Sequence, residues 1–155
     1  MLVGNGLKPF PTGGIMSGKK KVLIGILMGS ASDAETMAET EKILKENKIS
    51  YEINVLSAHR DSDEVRNYAK NAQRRGLKIL ICGAGMSAAL AGVVSAHTKL
   101  PVIGVPVESG TLKGMDALLS TVQMPGGVPV ACMAIGKTGA KNAAIFAARI
   151  LKTFM

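Results

Sequence analysis

Strand-like apolar runs alternate with helix-like segments along most of this chain, and this alternation constrains the fold more than any other feature. The runs cover residues 22–28, 51–56, 78–82, 101–105 and 130–135. Segments with helical character cover residues 34–47, 63–75, about 87–98, 115–122 and 141–152. Continuous apolar runs are typical of strands that are buried on both faces, and strands separated by helices form parallel sheets. The pattern predicts an α/β protein: a three-layer α/β/α sandwich with a flavodoxin-like parallel sheet.

The second predicted helix carries the clearest signals for its two ends. Asp61 precedes it, and Glu64 follows three residues later, which is the spacing of a capping box. Gly76 follows its last periodic residue, as expected for a residue in the left-handed conformation that ends a helix. We therefore expect this helix to begin at a side-chain cap and to end at glycine.

The first 18 residues lack the periodicity of the rest. Residues 1–18 contain Gly, Pro and scattered apolar residues, and no apolar segment precedes a cleavage-like site. We expect a flexible leader or an over-extended start there, and a single domain over residues 19–155. No run of about 20 uninterrupted apolar residues occurs, so no membrane span is expected.

Composition narrows the choice of partners. The formal net charge is +8, which suits nucleic acid, an acidic membrane surface or a phosphorylated small molecule. Aromatic residues make up only 3 % of the chain, whereas proteins that bind single-stranded nucleic acid usually stack bases on aromatic side chains. A phosphorylated metabolite fits better. Cys82 and Cys132 both lie in apolar runs and are expected to be buried thiols in a reducing compartment.

Polar, glycine-rich turns follow the first and second strands. The first is Gly29-Ser30-Ala31-Ser32-Asp33, where hydroxyl groups and free N–H groups at a helix start suit a phosphate, and a carboxylate suits sugar hydroxyls. Ordinary helix capping by Ser32 or Asp33 is an equal alternative. The second is Ser57-Ala58-His59-Arg60, where an imidazole can move a proton near neutral pH and a guanidinium can hold an anion.

Two further segments are rich in small residues. Residues 83–92, Gly-Ala-Gly-Met-Ser-Ala-Ala-Leu-Ala-Gly, follow the third strand, where a flat ligand could approach the main chain closely. Taken by itself, this segment is better explained by tight packing at a helix start. Residues 123–127, Gln-Met-Pro-Gly-Gly, precede the fifth strand and form either a lid over the site or a turn.

In this order and spacing, these motifs resemble the PurE family of purine biosynthesis, over roughly residues 22–151. The resemblance implies a catalytic domain with N5-carboxyaminoimidazole ribonucleotide mutase activity, in which His59 is the general acid/base. It implies that Ser30, Ser32 and Asp33 hold the ribose phosphate end and that Arg60 helps to bind the phosphate. The implied substrate-binding residues are Ser30, Ser32, Asp33, Ser57, Ala58, Arg60, Gly83, Ala84, Gly85 and Leu90.

The resemblance also implies an enzyme without a metal, biotin or ATP, because carbon dioxide released from one atom of the substrate can be trapped and re-used at another. It implies a cytoplasmic homo-oligomer, most often an octamer, that binds a ribonucleotide and neither nucleic acid nor membrane. Small-residue faces on the last helix and on residues 83–92 would allow close contact between subunits.

One position departs from the family pattern. Mutases of the family usually read Ala-Ala-His-Leu-x-Gly in the third turn, and Ala89 stands here in place of the histidine. A related branch of carboxylases, which take carbon dioxide directly onto aminoimidazole ribonucleotide, also lacks that histidine. That branch typically shows Ser-Ala-His-Lys, whereas this chain has Arg60. Direct carboxylation therefore remains an alternative, and a non-catalytic nucleotide-binding module is a second.

Overall fold

A computed structural model describes residues 21–154 of the chain. The expected leader at residues 1–18 lies outside the described residues. The elements follow one another in strict alternation: β1 (Ile24–Met28), α1 (Ala34–Glu46), β2 (Tyr51–Val55), α2 (Ser62–Arg75), β3 (Ile79–Gly85), α3 (Leu90–Ala96), β4 (Val102–Val107), α4 (Met115–Val122), β5 (Ala131–Cys132) and α5 (Lys137–Phe154).

The five strands form one parallel sheet in the order β2-β1-β3-β4-β5. Alternate residues of β3 enter two separate clusters, since Ile79 and Ile81 face one side while Leu80 and Cys82 face the other. One cluster is completed by α1 and α5, and the other by α2 and α3. The predicted three-layer α/β/α sandwich is confirmed. No helix within residues 21–154 is long and apolar enough to cross a membrane.

The third strand is longer than expected. It continues from Ile79 to Gly85, so Gly83, Ala84 and Gly85 are strand residues and not the turn we predicted. They pair with Val105, Pro106 and Val107 of β4. Glycine is a poor strand former by itself, but hydrogen bonding to the neighbouring strand outweighs that preference. The helix expected from residue 87 begins only at Leu90.

Asp61 precedes α2 as predicted, but the capping box with Glu64 does not form. Asp61 occupies the cap position without a side-chain bond to the helix, and its carboxylate accepts a hydrogen bond from the amide of Ser57 instead. The helix ends at Gly76, whose φ of 98° is left-handed, as predicted.

The alanines of the last helix pack within the chain. The buried set on α5 is Gly139, Ala140, Ala143, Ala144, Ala147, Ala148 and Leu151. This helix lies against α1, where Thr40 Oγ1 donates a hydrogen bond to the Ala140 carbonyl over 2.8 Å. The alanine face that we expected to be available for subunit contact is therefore used inside the subunit. The helix also begins at Lys137, earlier than expected.

The two cysteines differ in burial. Cys82, in the middle of β3, is 1 % exposed, as expected for a core thiol. Cys132, in the two-residue strand β5, is only half-buried, because β5 pairs with β4 alone and forms the sheet edge. Burial raises the pKa of both thiols above its ordinary value.

Candidate active site

Three turns meet at the carboxyl edge of the sheet because β2, β1 and β3 are neighbours. Met28, the last residue of β1, pairs with Val55 of β2 and Gly83 of β3. The hydrogen-bonding pattern extends one residue past the end of β1 on both sides: the Leu56 amide donates to the Met28 carbonyl over 2.9 Å, and the Gly29 amide donates to the Gly83 carbonyl over 3.0 Å. The first residues of the turns are thus held in a fixed relation, at the edge where parallel sheets bind ligands.

The first turn is a compact hydrogen-bonded unit. Ser30 precedes a 3-10 turn over Ala31–Asp33, and its hydroxyl oxygen accepts from the Ser32 amide over 3.3 Å and from the Ser32 hydroxyl over 3.0 Å. The Asp33 carboxylate reaches back to the Ser30 amide over 2.9 Å. Ser30 and Asp33 thus form a capping box, the arrangement that we predicted for Asp61 and Glu64 at α2. Ser32 stays exposed and available to a ligand.

Asp33 is the buried carboxylate of this edge. It is 5 % exposed, and burial raises its pKa, with the hydrogen bond from the Ser30 amide lowering the pKa by a smaller amount. A buried carboxylate that accepts only one hydrogen bond from the main chain has further lone pairs that can accept hydrogen bonds from a ligand. Hydroxyl groups of a sugar are donors of the required kind.

The second turn presents the predicted imidazole and guanidinium. Ser57 is 6 % exposed, and its hydroxyl oxygen accepts from the amides of His59 over 3.3 Å and Arg60 over 3.2 Å. The side chains of His59 and Arg60 are both exposed, and Ala58 between them and Ser57 is half-buried. The turn therefore has a rigid buried base and two free functional groups above it.

The small residues of β3 have a packing role. A Cβ atom on Gly83 would collide with the side chain of Met37, and one on Gly85 would lie 2.8 Å from the Ser109 hydroxyl. A Cβ on Gly29 would lie 3.3 Å from the Ala84 Cβ, so the first turn lies close against the end of β3. Close packing is thus sufficient to explain these glycines, while Ala84 and Gly85 remain partly exposed at the edge.

The start of α3 brings no polar side chain of Ala89 or Leu90 to this edge. Leu90 is 1 % exposed and packs in the core, so its side chain is not available to a ligand in the single subunit. Ala89 precedes the helix and is half-buried, without a polar side-chain group. The second histidine of the chain, His97, lies at the other end of α3, where its Nδ1 contacts the Val93 carbonyl at 2.9 Å. His59 is therefore the imidazole of the candidate site.

The sequence motifs did not point to a neighbouring cleft of about 500 Å³ at the same edge. It lies between the start of α1, the loop after β4 and the start of α5, and its lining includes Glu35, Glu108, Ser109 and Lys137. Lys137 Nζ and Glu35 Oε1 are 2.7 Å apart. Left-handed glycines at positions 110, 114 and 136 mark the two loops, and they are the sequence signal that could have identified this cleft.

Residues 123–127 follow α4, which runs back from the carboxyl edge. Within the subunit, the sulphur of Met124 lies 3.0 Å from the position that a Cβ on Gly92 would occupy, and the Pro129 carbonyl accepts from Ser95 Oγ over 2.6 Å. Met124, and Pro129 just beyond the segment, both contact α3, so in a single subunit residues 123–127 follow the surface of that helix as a turn.

The chain matches a known protein family over nearly all of its described residues. A family model described as AIR carboxylase matches residues 23–154. The chain belongs to the AIR carboxylase family. The match covers all five strands and all five helices, including the three turns that meet at the sheet edge. The resemblance to PurE proteins that the turn motifs indicated is thereby confirmed.

Two relatives that share more than half of their aligned residues with this chain are named N5-carboxyaminoimidazole ribonucleotide mutase. A Bacillus subtilis protein named N5-carboxyaminoimidazole ribonucleotide mutase is 57 % identical over 132 residues, which is 85 % of this chain and 82 % of that protein. A Thermotoga maritima protein of the same name is 56 % identical over 128 residues, or 83 % of this chain and 74 % of that protein. A crystal structure of Treponema denticola PurE is 34 % identical, has a TM-score of 0.77, and covers 86 % of this chain and 82 % of its own.

Proposed function

We propose that this protein is an N5-carboxyaminoimidazole ribonucleotide mutase, which converts its substrate to 4-carboxy-5-aminoimidazole ribonucleotide in purine biosynthesis. The observation that carries the proposal is identity above 50 % over most of the chain to relatives with that name. The motif around His59 lies within the matched region. The reaction moves a carboxylate from the exocyclic nitrogen to the neighbouring ring carbon.

His59 is the general acid/base of this proposal. Loss of the N-carboxylate requires protonation of a poor leaving nitrogen, and carboxylation at carbon leaves a carbon-bound proton to be removed. One imidazole can do both because it exchanges a proton near neutral pH. The side chain of His59 is exposed and can contact a substrate. Its backbone amide donates to the hydroxyl of buried Ser57, so the backbone that carries the imidazole is held in place.

The first two turns are proposed to bind the ribonucleotide. Asp33 accepts hydrogen bonds from the ribose hydroxyls, and Ser30 and Ser32 contact the ribose phosphate end. Arg60 holds the phosphate through charge-assisted hydrogen bonds, which are roughly twice as strong as neutral ones. Ser57, Ala58, Gly83, Ala84, Gly85 and Leu90 complete the substrate-binding set.

The proposed chemistry needs no metal, biotin or ATP. The carbon dioxide released in the first half of the reaction is the reagent of the second half, provided that the site keeps it from escaping into water. Exclusion of water requires cover over His59 and Arg60, both of which are exposed in a single subunit.

A homo-oligomer, most simply an octamer, is proposed to supply that cover. Three of the exposed large apolar side chains share one side of α4: Met115, Leu119 and Val122 are 52 %, 53 % and 46 % exposed. Apolar surface of this kind usually marks contact with another protein. A cytoplasmic location is part of the same proposal, because Cys82 and Cys132 are both free thiols and the cytoplasm keeps thiols reduced.

One observation favours a second candidate, a carboxylase that acts directly on aminoimidazole ribonucleotide. Ala89 brings no imidazole to the start of α3, and the same position lacks histidine in that branch of the family. Catalysis by either route still depends on His59.

A pair of assays with purified protein tests these functions. The mutase should consume N5-carboxyaminoimidazole ribonucleotide and form the C-carboxylated product without added bicarbonate. Formation of that product from aminoimidazole ribonucleotide and bicarbonate alone, at a rate that exceeds the mutase rate, would establish the carboxylase instead. Ribonucleotide binding without either conversion would establish a non-catalytic binding module.

A further inference from the structure

Asp61 has an unusual hydrogen-bonding role for a residue that precedes a helix. Aspartate at this position normally accepts from an amide of the first helical turn. Here the carboxylate of Asp61 accepts from the Ser57 amide over 2.9 Å, and the cap position has no side-chain bond to α2. The helix therefore forgoes its side-chain cap, and the carboxylate is used in the preceding turn.

Ser57 and Asp61 are joined in both directions. The Asp61 amide donates to the Ser57 carbonyl over 2.8 Å, while the Ser57 amide donates to the Asp61 carboxylate. These two bonds close a ring around Ala58, His59 and Arg60. Asp61 is half-exposed and Ser57 is buried, so the ring ties the functional turn to the interior.

The ring acts on the two functional residues through Ser57. The hydroxyl oxygen of Ser57 accepts from the amides of His59 and Arg60, which fixes the backbone from which both side chains project. These bonds are 3.3 and 3.2 Å long, so they depend on Ser57 keeping its position. The hydrogen bond from the Ser57 amide to the side-chain oxygen of Asp61 holds Ser57 there.

We propose that Asp61 is a positioning residue that sets the placement of His59 and Arg60 through Ser57. The proposal rests on the proposed function for its kinetic consequences, but its structural part stands independently. A small misplacement of a catalytic group is enough to lower a rate about 100-fold, so loss of the Asp61 acceptor should affect turnover more than folding.

Three variants separate positioning from charge and from helix stability. Asp61→Ala removes the acceptor. Asp61→Asn keeps an oxygen that can accept from the Ser57 amide but removes the charge. Asp63→Ala is the matched control, because it removes a carboxylate from the first turn of the same helix, where Asp63 pairs with Arg66 on the exposed surface.

We expect Asp61→Ala to lower kcat by about 10- to 100-fold, Asp61→Asn to stay within about threefold of the parent, and Asp63→Ala to match the parent. Hydrogen exchange, measured by NMR, should be at least about tenfold faster at the His59 and Arg60 amides in Asp61→Ala and unchanged in Asp63→Ala. The Tm values of Asp61→Ala and Asp63→Ala should be similar, since neither substitution removes a side-chain cap of α2.

Parent-like exchange at both amides in Asp61→Ala would overturn the proposal, as would an equal loss of kcat in Asp61→Asn, which would indicate a role of charge. If the parent protein lacks mutase and carboxylase activity, the proposed function fails while the exchange measurement still decides whether Asp61 positions the turn.

Discussion

The carboxylate of Asp33 accepts a hydrogen bond from the amide of Ser30 over 2.9 Å, in a position where the residue is only 5 % exposed. This one bond does not offset the loss of water, and burial therefore raises the pKa of Asp33. The ionised form is costly in the free protein and ready to accept hydrogen bonds from substrate. A binding group that destabilises the empty site is common where ligands supply the missing partners.

The first prediction concerns the pH dependence of stability. Because the pKa of Asp33 is higher in the folded state than the unfolded value of about 3.9, the unfolded state loses its proton first as pH rises, and stability falls until pH exceeds the folded pKa. Asp33→Asn lacks this loss. Its Tm should be near that of the parent at about pH 3.5 and higher than that of the parent at neutral pH.

Thermal unfolding across this pH range checks the first prediction, with Asp63→Asn as the control because Asp63 is an exposed carboxylate in an ion pair. Ribonucleotide affinity of Asp33→Asn should fall by about tenfold or more, since a charged acceptor is lost. A Tm difference that shrinks as pH rises would contradict the burial argument.

The second prediction is that His59→Asn loses turnover and keeps binding. Asparagine has a similar size and can hydrogen bond, but it cannot exchange a proton in the useful range. General acid/base groups typically contribute on the order of 10²–10⁴-fold. Steady-state rates should fall by that factor while calorimetry detects nearly unchanged ribonucleotide affinity. His97→Asn is the control, because that imidazole lies at the far end of α3. A rate within a few-fold of the parent would rule out the assignment.

The third prediction is that Arg60→Ala weakens binding through the phosphate alone. A charge-assisted contact is worth roughly 1.5–3 kcal/mol, which corresponds to about 10- to 150-fold in affinity. A nucleoside analogue without the phosphate should bind parent and variant equally. Arg66→Ala removes an exposed arginine of α2 that pairs with Asp63, and it should change neither affinity. Equal losses for both ligands would mean that Arg60 supports the fold.

The fourth prediction is that α4 forms part of a subunit interface. Leu119→Glu places a charge in the exposed apolar surface of α4 and should shift the assembly towards smaller species, with a loss of activity. Gln73→Glu adds the same charge on exposed α2 and should leave the assembly intact. Analytical ultracentrifugation at micromolar concentration checks this, and a fully active 16.1 kDa parent monomer would refute it.

The alternation of apolar and amphipathic segments was enough to predict the fold, because burial on both faces of a parallel sheet leaves a strong pattern. It placed α4 at the residues where the structure has it. It misplaced the end of β3, since Gly83–Gly85 have turn-like composition and are held in the strand by pairing with β4, which lies far from them in sequence. Local composition does not contain that pairing.

The site was predictable only in part, for a related reason. The turns carrying Asp33 and His59 were recognised from residue type and position after a strand. The role of Asp61 was not, because a carboxylate before a helix can accept from amide donors of either the first helical turn or the preceding turn, and geometry selects between them. The cleft beside Lys137 combines loops that are distant in sequence, so no single motif marks it.

Because Cys82 is buried and Cys132 is only half-buried, the two thiols should react with alkylating reagents at different rates, and each rate reports a different opening motion. Cys82 lies between Leu27 and Gly104 of the neighbouring strands, and burial disfavours the thiolate, which is the nucleophile that reacts with alkylating reagents. Its modification must wait until the centre of the sheet opens. Cys132 sits in a two-residue edge strand and needs only a local departure. Timed alkylation with mass detection would therefore record separately how often the edge frays and how often the whole sheet comes apart, without an added label.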